Sequence, residues 1–261
     1  MSERVMTTPG DVPLSRLSPE LYRRFLDRAH AERFAFVRFA EFLDGAPAHA
    51  RFIALRHDID FAPRHSVALA ELEHDAGVAA TYFVLTDGEF YNLLEPETVR
   101  AVRRISALGH EVGLHFAVSS SIHDDIGEEV AFRMDVLEQV VGAPVRSFSQ
   151  HDPVNAGLAA VTLPAGRPPC VDAYRVVADH DLLYVSESAM MWRQHTFESA
   201  LEAGRNLCLL AHPHSWLAGE DDYIAMIRSF EAEQADGVAR RFDAFVGNLA
   251  EYYRRRLEEG A

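Results

Sequence analysis

The stretch "FIALRHDIDFAP", residues 52–63, ends an apolar run in His57, Asp58 and Asp60. Other apolar runs end in the same way. "EVGLHF" carries His115, "VRSFSQH" ends at His151, "LLYVSES" ends in Ser186, Glu187 and Ser188, and "NLCLLAHP" leads into His212 and His214. Each residue alone has a plain structural role open to it: a satisfied core histidine at 115, a turn cap at 151, a capping carboxylate at 58. Together they are harder to dismiss, because buried charge is costly unless it is paired or holds a metal. Imidazole and carboxylate without thiolate suit Zn²⁺ or a similar divalent ion. Two carboxylates near such an ion can divide the labour, one as ligand and one as the base that takes a proton from water. A histidine opposite can then protonate a leaving group. The chemistry expected is metal-assisted hydrolysis of an amide or ester.

These side chains meet only if the runs are neighbouring strands. The apolar, β-rich runs fall at 52–59, 79–85, 111–116, 145–151, 171–177, 182–188 and 206–213. Helical patterns at 63–77, 96–109 and 126–142 separate the early ones, and each ends in Gly, a common helix stop. Such alternation predicts a mainly parallel sheet covered on both sides. Seven runs favour a barrel-like α/β sheet, whose site forms at the C-terminal ends of its strands. "SPELYRRFLDRAHAERF" reads as a helix with Ser18 as N-cap, Pro19 in the first turn, and Leu21, Phe25 and Ala29 on one face. Residues 1–17 read as a loose tail and 18–261 as one domain, with a motif core at 50–216 and two C-terminal helices within 219–258. Phe242, Phe245, Leu249 and Tyr252 form an apolar stripe expected to pack on the barrel.

Composition narrows the partners. The chain has 261 residues, is 48% hydrophobic and carries a net charge of −15. Phosphate binding needs a positive field, so a general nucleic-acid grip is not expected. Acidity of this size speaks to solubility rather than fold. Cys170 and Cys208 sit in no CxxC pair and are expected as two buried thiols in a reducing cytoplasm. No apolar run approaches the ~18 residues of a membrane helix. "MSERVMTTPGDVPLSRLS" lacks the apolar core of a signal peptide. The expectation is a cytoplasmic protein with a small-molecule substrate and no membrane or nucleic-acid partner. Nothing in the sequence indicates an oligomer.

"ALRHDID", "ATYFVL", "GHEVGLHF", "SFSQHDP" and "LLAHPHSW", in this order, resemble the polysaccharide deacetylase (NodB-homology) family. The likeness covers residues 50–216 and is closer to a divergent branch with an HDxD first motif. It implies a deformed (β/α)7 barrel, one divalent metal ion, and hydrolysis of an N-acetyl or related acyl group. Zn²⁺ is the first choice of ion, with Co²⁺, Ni²⁺, Mn²⁺ or Fe²⁺ as alternatives. By resemblance Asp58 matches the base and Asp60 a metal ligand, the reverse assignment staying open. His115 matches the first metal histidine. His212 matches the catalytic histidine that acts as general acid.

The sequence departs from the family at Ser119, where the main branch has a second metal histidine. His151 is the first choice to replace it, with His57, His110 and His123 as others. The family's base-orienting arginine is not obvious. Arg146 begins its strand, and Arg56 beside the HDID run could serve. Arg56, Glu187, Trp192 and Trp216 are expected to bind substrate, aromatic rings being natural partners for flat apolar faces. The function implied is removal of an N-acyl group from a small intracellular sugar, nucleotide-sugar or natural-product intermediate. The alternative, favoured by Ser119, is a non-catalytic carbohydrate-binding or regulatory barrel that has lost full metal ligation.

Overall fold

The computed structural model describes residues 12–13, 17–61, 63–220 and 222–259. Its strands are β1 (Val12–Pro13), β2 (Ala35–Val37), β3 (Phe52–Ile59), β4 (Thr81–Leu85), β5 (Glu111–Phe116), β6 (Ser147–Gln150), β7 (Val171–Asp172), β8 (Leu183–Ser188), β9 (Met191–Arg193) and β10 (Leu207–Ala211). Its helices are α1 (Pro19–Ala31), α2 (Pro63–Asp75), α3 (Pro96–Ala107), α4 (Ile126–Val141), α5 (Pro153–Ala156), α6 (Ala173–Asp179), α7 (Phe197–Glu202), α8 (Pro213–Leu217) and α9 (Tyr223–Glu259). The strands form one sheet in the order β1-β9-β8-β10-β3-β4-β5-β6-β7, with β2 also paired to β3. From β8 to β7 every pairing is parallel. Those seven strands grow from the seven apolar runs. The fold is α/β, a curled, mainly parallel sheet with its helices, as expected from the strand–helix rhythm.

β3 is the axis of the arrangement. All eight of its residues are buried, and it pairs with β2, β10 and β4. Successive side chains alternate faces. On one face Phe52 and Ala54 join the apolar cluster of Val37, Phe39, Phe42, Phe83, Val176, Leu182 and Cys208. The 3₁₀ turn Phe39–Phe42 supplies two of those rings. Further along the same face come Arg56 and Asp58, and the strand runs out into Asp60. One face therefore passes from apolar to charged along its length. Close packing is felt at Gly113 in β5, where a Cβ would lie 2.6 Å from both the Phe83 ring and Ser147 Oγ.

Local signals account for most boundaries. Ser18 caps α1 by accepting from the Leu21 N–H, and Asp125 caps α4 through the Gly127 and Glu128 N–H groups. Gly142 ends α4 in the left-handed region at φ 78°. Two expectations need correcting. The run 171–177 is a strand only at Val171–Asp172. Asp172 then caps α6 through the Tyr174 and Arg175 N–H groups, so the rest turns helical. The two C-terminal helices are one helix, α9, of 37 residues. Gly237 does not break it, and an Arg240–Asp236 ion pair spans that glycine.

The chain divides into two compact units, Met1–Gly219 and Glu220–Ala261. Along α9, Phe242, Phe245, Leu249 and Tyr252 are exposed. The loose tail expected at 1–17 lies largely outside the described residues. Val12–Pro13 within it pair antiparallel with β9. Cys170 and Cys208 are both free, and Cys208 is buried as expected, but Cys170 is only half-buried. No described helix is long and apolar enough to cross a membrane.

Candidate metal and acid–base site

The C-terminal ends of β3, β5, β6 and β10 bring Asp58, Asp60, His115, His151 and His212 together. His115 lies near the end of β5 and is buried. Its Nδ1 donates to the Ser149 carbonyl of β6 at 2.9 Å. In a neutral ring that bond leaves Nε2 as the lone-pair atom, the arrangement usual for a ligating histidine. His151 follows β6, and its backbone N–H donates to the Phe116 carbonyl at 2.7 Å. Asp152 then turns left-handed at φ 44°, a region that Asp tolerates better than most residues, and Pro153 starts α5. Strands β5 and β6 thus fix the His115 ring and the backbone at His151.

His115 Nε2 and His151 Nδ1 lie 3.1 Å apart. Asp60 Oδ1 lies 3.5 Å from the first and 3.2 Å from the second. A tetrahedral ion with bonds of about 2.0–2.1 Å separates its ligand atoms by roughly 3.3 Å. The triangle therefore already has the size of one face of such a site. Asp60 Oδ1 is buried and receives no hydrogen bond, so it has unused acceptor capacity. Burial works against ionising Asp60. Its neighbours His115, His151 and His212 outweigh that and hold the carboxyl well below the usual range. Among the described residues, Asp60, His115 and His151 are the one such group able to hold a metal ion. The donor set fits a divalent cation of the Zn²⁺ type.

Asp58 sits beside the triangle, with Oδ2 3.6 Å from His115 Nε2. Arg56, two residues earlier on the same face of β3, grips it. Arg56 Nη2 donates to Oδ1 at 2.9 Å and Oδ2 at 2.7 Å, and Nε donates to Oδ1 at 3.2 Å. Arg56 Nη2 also contacts Ser149 Oγ. Burial pushes the Asp58 pKa up, but Arg56, His115 and His212 outweigh it and hold the carboxyl below its ordinary value.

His212 caps α8 directly after β10. Its Nδ1 donates to the Glu187 carbonyl at 2.7 Å, and its backbone N–H donates to Glu187 Oε2 at 3.1 Å. Its Nε2 is 3.6 Å from Asp60 Oδ2. Burial favours the neutral ring, yet the Glu187, Asp60 and Asp58 charges raise the pKa to about 9.

The remaining sequence candidates are engaged elsewhere. Ser119 is exposed in the 3₁₀ turn Val118–Ser120. His57 points away from Asp58 and binds Glu73 and Ala211. His110 binds the Ala70 carbonyl and the Ala80 N–H. His123 binds Glu129 at 2.6 Å. Glu187 is fully buried, its other oxygen accepting from the Met190 N–H at 2.9 Å. Trp192 and Trp216 are 6% and 3% exposed and pack ring to ring at 6.3 Å, so both act as packing residues here. Ser149, Glu73 and Glu129 were not anticipated. Ser149 falls inside the quoted "SFSQHDP" but is a small polar residue in a strand. The two glutamates lie in helices, where carboxylates are ordinary.

No family model matches the chain, and no curated protein matches it. Solved structures do overlap with it. The Streptococcus pyogenes deacetylase PplD, in complex with acetate, is 15% identical over 80% of this chain and 88% of its own, with a TM-score of 0.43. IcaB from Ammonifex degensii is 16% identical over 76% and 86%, with a TM-score of 0.42. BA3943 from Bacillus anthracis, a pseudoenzyme of the CE4 family, is 14% identical over 72% of this chain and 63% of its own, with a TM-score of 0.38. At such identities and scores, chemistry has to be argued from the side chains of the site itself.

Proposed function

We propose that the protein is a metal-dependent hydrolase that removes an N-acyl group, N-acetyl first, from a small sugar, nucleotide-sugar or natural-product intermediate. The observation that carries this reading is the triangle of Asp60, His115 and His151 flanked by Asp58 and His212. A binding module has no need of a clamped carboxylate on one side of such a triangle and an anchored imidazole on the other. Asp60, His115 and His151 would hold the ion, with His151 in place of the histidine absent at 119. When bound, the ion would supply Lewis acidity to the acyl carbonyl and to the attacking water.

The chain's own groups do the rest. Asp58, kept ionised and oriented by Arg56, takes the proton from the attacking water. His212, held by Glu187 through Nδ1, gives a proton from Nε2 to the departing amine nitrogen. Its raised pKa keeps that proton in place at neutral pH. Glu187 is a positioning group for His212 in this scheme, and Arg56 is one for Asp58.

The second reading, a non-catalytic barrel, is favoured by Ser119. One experiment separates the two. Elemental analysis of protein purified without added metal should find about one divalent ion per chain. The same protein should release acetate from a panel of N-acetylated amino sugars and their nucleotide-linked forms. No ion bound, and none taken up on addition, would favour the binding barrel.

A further inference from the structure

A second buried polar group lies on the face of β3 opposite Arg56 and Asp58, and the chemistry above makes no use of it. His57 and Glu73 are both fully buried. His57 Nε2 donates to Glu73 Oε1 at 2.7 Å. The Tyr22 hydroxyl donates to the same oxygen at 2.5 Å, and the Tyr82 hydroxyl donates to Oε2 at 2.7 Å. On its other side, His57 Nδ1 donates to the Ala211 carbonyl of β10 at 2.9 Å. Both ring nitrogens thus face oxygen atoms of neighbouring elements, one on α2 and one on β10.

The position of this bridge is informative. His57 and Ala211 are the last register pair between β3 and β10. Beyond it β3 runs on to Asp60, while β10 turns into α8 through His212 and Pro213. Pro213 has no N–H with which to extend the ladder. The His57 side chain is thus a tie between the two chains at the point where they part. Asp58 is the next residue on one, and His212 the next on the other. A buried polar bridge is often no more stabilising than apolar packing of the same volume, and its best-attested role is to specify a register.

We propose that His57 is a positioning residue, whose bond to the Ala211 carbonyl sets the base on β3 against the acid that follows β10. This rests on the hydrolase reading above. Glu73, with its two tyrosine donors, fixes the ring so that Nδ1 meets Ala211.

Two substitutions separate the two sides of the bridge. In His57→Asn the amide nitrogen takes the place of Nδ1 and can keep the Ala211 bond. In His57→Gln it takes the place of Nε2 and can keep only the Glu73 bond. Misplacing a reacting group by 1 Å can cost ~10²-fold. His57→Gln should therefore lower kcat for acetate release by at least about tenfold, with KM and metal content unchanged. His57→Asn should recover most of that loss. Histidine-selective ¹⁵N NMR of the whole protein gives a readout that needs no activity. The His212 ring signal, identified by its absence in His212→Asn, should move in His57→Gln and stay near its wild-type position in His57→Asn. Equal effects in the two variants, or a His57→Gln protein that does not fold, would overturn the assignment, because the contact would then be general packing. If the wild type releases no acetate while the His212 signal still distinguishes the variants, the hydrolase reading fails and the positioning role stands.

Discussion

Two clusters of the same residue types lie in this fold. One joins Asp58 and Asp60 with His115, His151 and Arg56 at the ends of β3, β5 and β6. The other joins Glu129 with His123 and Arg133 where the 117–125 segment enters α4. His151 and His123 are each 40% exposed at the side chain, so exposure does not tell them apart. Hydrogen bonding does. Glu129 Oε2 accepts from the Ile122 and His123 N–H groups at 3.1 Å each and from His123 Nδ1 at 2.6 Å, while Oε1 pairs with Arg133. Both of its oxygens are taken. Asp60 Oδ1 is buried with no donor, while two imidazole nitrogens converge on it. A closed cluster holds a loop. An open one has capacity left for something that is not protein.

The sharpest way to break this contrast is at Asp58. Asp58→Asn should keep fold and metal content and lower kcat by at least ~10²-fold, the usual scale for a general base. A rate near wild type would remove Asp58 from the chemistry. Next in size is His151→Ala, which should weaken metal binding by more than the ~10-fold that loss of an outer partner costs, as measured by metal titration. His123→Ala, its counterpart in the closed cluster, should leave metal affinity alone.

Glu129 offers a test by pH. Burial alone would raise its pKa, but bonds from His123 and Arg133 hold it down to about 2. A carboxyl depressed in the folded state adds stability above its unfolded pKa of about 4.5, and that part is lost as pH falls towards 2. Urea midpoints should fall over that window in the wild type, and less steeply in Glu129→Gln. At neutral pH the variant should lose about 2 kcal/mol, the scale of a hydrogen bond to a charged group, since Arg133 keeps its ion pair with Asp87 and its bond to the Ser120 carbonyl. The smallest effect is on stability in His123→Ala, about 1 kcal/mol, the scale of one net hydrogen bond.

Sequence pattern carried the strand frame well, because β3, β4, β5 and β10 are buried on both faces and read as continuous apolar runs. The strands it missed, β1, β2 and β9, span two or three residues each, too short for a period-two pattern to register. At the site, Asp60, His115 and His151 converge as the positions of their residues suggested. The work of Glu187 was not legible in the same way. Its place at a strand end suggested contact with substrate, but the two-residue hairpin after it turns through Ala189 and Met190 at φ 52° and 56°. The carboxylate is drawn onto the Met190 and His212 N–H groups instead. No residue spacing announces a hairpin of that type built without Gly or Asn. Glu73 and His57 were obscure for a related reason: each is an ordinary residue in its own element, and only the tertiary pairing makes them a unit.

The three neighbours of β3 have a consequence for amide exchange. Backbone groups held in a ladder on both sides, under buried side chains, open only with the largest cooperative unit of a fold. The amides of Ile53, Ala54, Arg56 and His57 belong to that class, since each of these residues lies in register with a partner on both sides. Arg56 is therefore expected to lie on the slowest-exchanging segment of the described chain, with Asp58 one residue past its doubly paired part. Smaller openings elsewhere in the chain leave Asp58 and its Arg56 clamp intact.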